Sequence, residues 1–191
     1  MTYGTLQPAA YPPRSKLLHW SVAIAVLVQA PLGLSLVYVE LGAWQDAFFN
    51  FHKSLGIVIL VLMVWRLLNR IFVGAPSPEP TIAPWQRVVS SAVHGALYLL
   101  LIVQPIVGYL ANSAFGASTP FFGLFEIPAA VAASESWANR LFALHGWIGL
   151  ALLLLIAVHI AAALQHYFIR KDGVLQRMLP KALGGRTAST A

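Results

Sequence analysis

The sequence predicts an all-α protein, an integral membrane bundle of four helices with both termini in the cytoplasm. Three observations carry that expectation. Of the 191 residues, 59% are hydrophobic and 9% charged, with a mean hydropathy of +0.74; a soluble domain carries about 25% charged residues. Four stretches are apolar enough to cross roughly 30 Å of hydrocarbon, a crossing that takes about 20 helical residues. The cations are also sorted, ten Lys and Arg on one side of the bilayer against two on the other, and the cation-rich side reads as cytoplasmic.

Composition narrows the function classes. A soluble enzyme and a disordered chain are excluded, because too few polar residues are present to clothe a surface in water. The net charge of +6 is mostly topological bias, so nucleic acid is not an indicated partner. No cysteine is present, which removes disulfides, iron–sulfur clusters and thiolate metal sites. The N-terminal residues are polar, and the first apolar run is too long and lacks a small-residue cleavage site, so no cleavable signal is expected. The length suits one compact bundle: residues 1–191 as a single transmembrane domain, with core 14–180 between tails 1–13 and 181–191.

The first span is expected at about 17–39, between Lys16 and Glu40. The second has a charge-free core too short to cross, so it is extended to about 48–72, with Lys53 snorkelling near one end and Arg66 inside the other. The third follows Arg87 at about 88–112, and the fourth lies at about 139–168. Between spans two and three the proline-rich stretch 73–84 must be extended loop. The linker 113–136 is too long for plain loop and carries an apolar segment suited to the membrane interface.

Six histidines are present, five of them well within the spans, where an ionisable residue is a functional candidate by default. Their depths form two layers. His52 and His145 lie near the outer surface; His19, His94 and His159 lie towards the cytoplasm, with His166 at that edge. His145 and His159 are 14 residues apart, close to four turns, so both leave one helix face about 21 Å apart along the axis. Two haems stacked across a bilayer need that spacing, and each takes an imidazole from either of two helices. Glycines four residues after His52 and His145, Gly56 and Gly149, are expected to leave room for the flat ring, and Gly33 and Gly108 follow His19 and His94 by 14. Zinc suits the pattern less well, because it prefers three or four ligands and the outer layer offers two histidines. Arg66, 14 residues after His52, is placed to meet a haem propionate, as are Lys53 and Arg140 at the outer haem. Depth alone pairs His52 with His145 and leaves His19 and His94 as alternatives opposite His159.

Taken in order, these residues resemble the bacterial cytochrome b561 family, four-helix di-haem b cytochromes of the cytoplasmic membrane, and are similar to the cytochrome b subunits of formate dehydrogenases and nickel–iron hydrogenases. The resemblance covers about 14–180. It is carried by His19-Trp20, by His52 with Gly56, by His94 with Tyr98 and Gln104-Pro105-Ile106-Val107-Gly108, by Pro120 to Pro128 with its Phe-Gly-Leu, by the His145/His159 pair, and most specifically by the tail 166–180. The family often has two consecutive histidines where this chain has His166-Tyr167.

The resemblance implies His19 as the inner ligand beside His159, which leaves His94 as a supporting or propionate contact. It implies two haem b per chain as cofactor. It also implies electron transfer between a periplasmic-side donor and membrane quinone, with superoxide oxidised to dioxygen and ubiquinone reduced. The expected partners are therefore ubiquinone, superoxide or another periplasmic-side donor, and the lipid bilayer. His166, seven residues beyond His159 on the same face, is expected to meet quinone, with Arg170 one turn further. The outer loops carry four acids against two cations, which argues against steering an anion there. The alternative is a haem b subunit taking electrons from a periplasmic dehydrogenase or hydrogenase, with 113–136 as its docking segment. A non-redox helical scaffold is the third reading, and it expects a colourless protein.

Overall fold

A computed structural model of the chain describes residues 10–184. Residues 1–9 and 185–191, the outer parts of the two expected tails with Arg186 among them, lie outside the described residues. The first helix, α1, spans Pro13–Tyr38. Pro13 opens it because a first-turn N–H has no helical partner to lose. After a single turn at Gly42–Trp44, α2 spans Gln45–Val73 and stops at Gly74, whose φ of 77° is left-handed. The proline-bearing loop follows, and α3 spans Pro84–Phe115. Gln86 Oε1 accepts the Ala83 N–H at 3.2 Å, and Gly116 at φ 81° ends the helix. Glu135–Gln165 form α4, which runs on into one wider turn at His166–Arg170.

All four helices are long and apolar enough to cross a membrane. They outrun the expected spans at nearly every end, because start and stop signals lie in the polar margins beyond the apolar runs. Side chains facing outward along them are themselves apolar, Ile24, Leu27, Val61, Leu99 and Leu154 among them. Val22, Ile59 and Met63 pack inside against Tyr98, Leu101 and Ile102. A helix apolar on every side belongs in hydrocarbon.

The linker after α3 contains a small hairpin that sequence periodicity had not revealed. Its strands, β1 Thr119–Phe121 and β2 Phe125–Ile127, pair antiparallel with Phe121 opposite Phe125. Buried Ser54 ties it to α2, with its hydroxyl 3.0 Å from the Pro120 carbonyl and accepting the Phe122 N–H at 2.9 Å. Lys53 Nζ donates to the Ser118 carbonyl at 2.8 Å, and the Tyr109 hydroxyl donates to the Pro128 carbonyl. At the opposite end the C-terminal segment turns back under α1. Lys16 Nζ donates to the Leu179 carbonyl at 2.9 Å, Trp20 Nε1 to that of Met178 at 3.0 Å, and the Arg177 guanidinium to that of Ser77 at 2.6 Å.

The close helix pairings are α1 with α2, α3 with α4, and α2 with α3. The approaches of α4 to α1 and α2 are not among them. Histidines meet across that wider separation.

Candidate functional site

The histidines gather in two layers, as expected. On the hairpin side, His52 of α2 faces His145 of α4, ring centres 6.3 Å apart and planes at 76°. On the terminal side, His19 of α1 faces His159 of α4, ring centres 6.3 Å apart and planes at 81°. His94 of α3 also reaches His159, but its ring centre is only 5.2 Å away. Metal–imidazole bonds of about 2 Å put two axial nitrogens about 4 Å apart and their ring centres roughly 6 Å apart. The His52/His145 and His19/His159 pairs have that separation, and His94/His159 stand about 1 Å closer.

The surroundings of the hairpin-side pair also fit a bound haem. A Cβ on Gly33 would lie 3.0 Å from His52 Cε1, and one on Gly108 only 2.7 Å from His145 Cε1. The His145 imidazole therefore lies across α3 at a point where only glycine admits it, and that of His52 lies tightly across α1 at Gly33. The His145 Nδ1–H donates to the Gln104 carbonyl at 3.1 Å, which leaves Nε2 free for a metal, the arrangement typical of ligating histidines. His52 Nδ1 is buried and meets no partner among the described residues.

Gly56 and Gly149 each have a glutamine beside them. A Cβ there would meet a glutamine amide, Gln29 Nε2 at 3.5 Å and Gln104 Nε2 at 3.2 Å. Each amide donates at 2.9 Å to a histidine's main-chain carbonyl, Gln29 to His52 and Gln104 to His145. Neither glutamine stands out in the sequence as a site residue on its own. The signal was present: His19, Gln29 and Gly33 have the same spacing as His94, Gln104 and Gly108.

Arg66 lies within electrostatic reach of His19, His94 and His159, with its guanidinium carbon 5.5 Å from the centre of the Tyr98 ring. It lines a polar pocket with Tyr11, Ser15, Asn69, Arg70 and Tyr98, an environment able to take a propionate. Lys53 is bound to the hairpin, and Arg140 lies 5.9 Å over the Trp137 ring. His166 Nδ1 is 2.5 Å from Asp172 Oδ2, and Arg170 Nε is 3.2 Å from the same oxygen. Arg170 also donates to Gln86 Oε1 at 3.0 Å and to the Thr81 carbonyl at 3.1 Å. Asp172 thus joins His166 and Arg170, although the sequence alone does not single it out.

The family profile described as prokaryotic cytochrome b561 matches residues 10–181. This chain belongs to the prokaryotic cytochrome b561 family. It is 37% identical over 179 residues to "Cytochrome b561 homolog 2" of Escherichia coli (strain K12), covering 93% of this chain and 95% of that one. It is 33% identical over 167 residues to "Probable superoxide oxidase CybB" of Yersinia pestis, covering 87% and 94%. To "Cytochrome b562" of Cereibacter sphaeroides it is 27% identical over 167 residues, covering 85% and 90%. With its four apolar helices, the chain is a multi-pass protein of the bacterial inner membrane. As a cytochrome b561 it binds haem b and transfers electrons as an oxidoreductase, in a bilayer that also contains quinone.

Proposed function

We propose that this cytochrome b561 holds two haem b and couples superoxide oxidation on its hairpin side to ubiquinone reduction on its terminal side. Residues 1–191 then act as one domain, with the hairpin in the periplasm and both termini in the cytoplasm. The observation that carries the reading is the matched 6.3 Å separation of two histidine pairs, His52/His145 and His19/His159, on one α4 face. Bound haem b supplies one-electron redox chemistry.

The chain's own residues supply position, charge and protons. His52 and His145 hold one group, and His19 and His159 the other; Arg66 meets a propionate and His94 closes the terminal-side layer. Lys53 and Arg140 offer positive charge beside the hairpin-side pair, where an anionic donor would arrive. Two superoxide anions each give up one electron and become dioxygen, and one quinone takes two electrons and two protons. His166 donates a hydrogen bond to a quinone carbonyl and passes a proton, with Asp172 holding its ring and Arg170 holding Asp172.

A second reading, transfer from a periplasmic dehydrogenase or hydrogenase partner, is favoured by one observation. The hairpin tip is apolar and exposed at Phe122, Leu124 and Phe125. One experiment separates the two readings. Purified protein in liposomes containing ubiquinone is given a steady superoxide source, and quinol and the b-type difference spectrum are followed. Superoxide-dependent quinol formation supports the first reading. A reducible haem spectrum without quinol formation from superoxide removes it and leaves the partner-fed reading.

A further inference from the structure

The bundle contains an internal two-fold pattern. In α1 and α2 the order is His19, Gln29, Gly33, then His52, Gly56, Arg66; in α3 and α4 it is His94, Gln104, Gly108, then His145, Gly149, His159. Within each helix the spacings are identical, 10 and 14 residues in the first helix of each pair and 4 and 14 in the second. The contacts repeat as well. Gln29 Nε2 donates to the His52 carbonyl and Gln104 Nε2 to the His145 carbonyl, both at 2.9 Å.

A glycine stands beside both bonds. A helical side chain covers the turn on the N-terminal side of its own Cα, so residue i+4 normally shields the carbonyl of residue i. Gly56 and Gly149 stand four residues after the two histidines and leave those carbonyls open to a side chain from the neighbouring helix. A Cβ at residue 149 would crowd the Gln104 amide nitrogen, at 3.2 Å, and one at residue 56 would stand in ordinary contact with that of Gln29, at 3.5 Å.

Packing alone does not account for the two amides. Gln29 Oε1 and Gln104 Oε1 are buried and meet no donor among the described residues, a cost that an apolar side chain of the same shape would avoid. The arrangement is confined to the hairpin-side layer. Four residues after Arg66 and His159 stand Arg70 and Ala163, so no glycine opens the corresponding carbonyls on the terminal side.

We propose that Gln29 and Gln104 are the positioning residues of the hairpin-side haem, each anchoring the main chain of one axial histidine from its paired helix and so fixing the turn from which the imidazole projects. This rests on the reading that His52 and His145 are axial ligands. The two bonds set where the imidazoles stand and how their planes cross, at 76°. Ring-plane orientation at a low-spin haem is read directly by electron paramagnetic resonance, and nearly crossed planes give a strongly anisotropic signal.

The test uses the full-length haem-loaded protein and the variants Gln29→Met, Gln104→Met and Gly149→Ala. The alanine improves helix propensity while crowding Gln104 Nε2, so it reaches the same bond without a risk to folding. The hairpin-side signal is identified as the one that His145→Ala abolishes. The methionine variants are expected to lose that haem to excess apomyoglobin about tenfold faster, the lower end of the 10–100-fold that such outer-shell partners carry at metal sites. Their hairpin-side resonance signal should shift while the other stays in place, and Gly149→Ala should shift the same signal less. If both signals and both haem-loss rates match the parent protein, the positioning role is overturned even where thermal stability falls. If His52→Ala and His145→Ala each keep two haems, the ligand reading and this proposal fail together. If those variants lose one haem and the glutamine variants behave as the parent, only the glutamine proposal fails.

Discussion

Gly108→Ala is the smallest change that tests the hairpin-side site. The added Cβ would lie 2.7 Å from His145 Cε1 and 2.9 Å from His145 Nδ1, where ordinary contact begins at 3.4 Å. The imidazole must therefore retreat by about 0.7 Å (3.4 − 2.7), because close packing of α3 on α4 leaves the main chain little room to yield. That retreat also pulls on the 3.1 Å bond from His145 Nδ1 to the Gln104 carbonyl. Overpacking of this kind costs about 1–3 kcal/mol. Spent at an axial ligand, and at about 1.4 kcal/mol per tenfold, it becomes a roughly 5- to 150-fold loss of haem affinity. Gly146→Ala is the control: it is adjacent to the same histidine, yet its Cβ would meet nothing within 4 Å. That substitution should favour the helix by up to about 1 kcal/mol and leave the haem alone. Haem per chain by pyridine haemochrome, with the hairpin-side resonance signal, reads both variants. Two tightly held haems and an unchanged signal in Gly108→Ala would refute the placement of the imidazole against α3.

Four further expectations follow from the same geometry. His52→Ala and His145→Ala should each lose the hairpin-side haem and keep the other, while His19→Ala and His159→Ala do the reverse; loss of haem in His94→Ala with full retention in His19→Ala would show the terminal-side pair to be wrong. Gly56→Leu and Gly149→Leu should lower haem content without touching a ligand, by driving the glutamine amides off the histidine carbonyls, and two haems per chain in both would reduce these glycines to packing. His166→Ala should keep both haems and their reduction by the donor but slow quinol formation; normal rates would move the quinone search to His94 and the loop between α2 and α3. Arg66→Met should lower the midpoint potential of the terminal-side haem in a redox titration and leave the other in place, and an unmoved potential there would separate Arg66 from the haem.

The fold was legible because hydrocarbon demands so much of a sequence. Charge-free runs bounded by Lys16, Arg87 and Arg170 located three helices, and Pro13, Pro84, Gly74 and Gly116 marked ends that apolarity alone could not place. The histidine layers followed from the depth of each residue along its span, and the 14-residue interval put His145 and His159 on one face of α4 whatever the packing. The hairpin was not legible. Its strands have three residues each, too few to display an alternation, and it is held by Ser54 and Lys53 of a distant segment. The partners of Gly56 and Gly149 were hidden for a related reason. Spacing shows that a glycine leaves space, but the occupant comes from another helix. Asp172 escaped because its partners, His166 and Arg170, are brought to it only by the turn that follows α4.

The internal two-fold pattern also accounts for the difference between the two layers. On the hairpin side the equivalent positions of α2 and α4 are both histidine, so His52 and His145 form a pair related by the pattern, with matched glutamine bonds. On the terminal side the equivalent positions are Arg66 and His159. Only one of them is an imidazole, so a second one for the proposed terminal-side haem would come from α1 or α3, whose candidates His19 and His94 are themselves equivalent. Separation distinguishes them, 6.3 Å for His19 and 5.2 Å for His94. The exchange of one imidazole for a guanidinium does more than break symmetry. A fixed positive charge in a medium of low dielectric favours the haem state with one positive charge fewer, which is the reduced state. With a haem on each pair, as proposed, Arg66 would bias electrons towards the terminal-side one, nearer His166 and the proposed quinone.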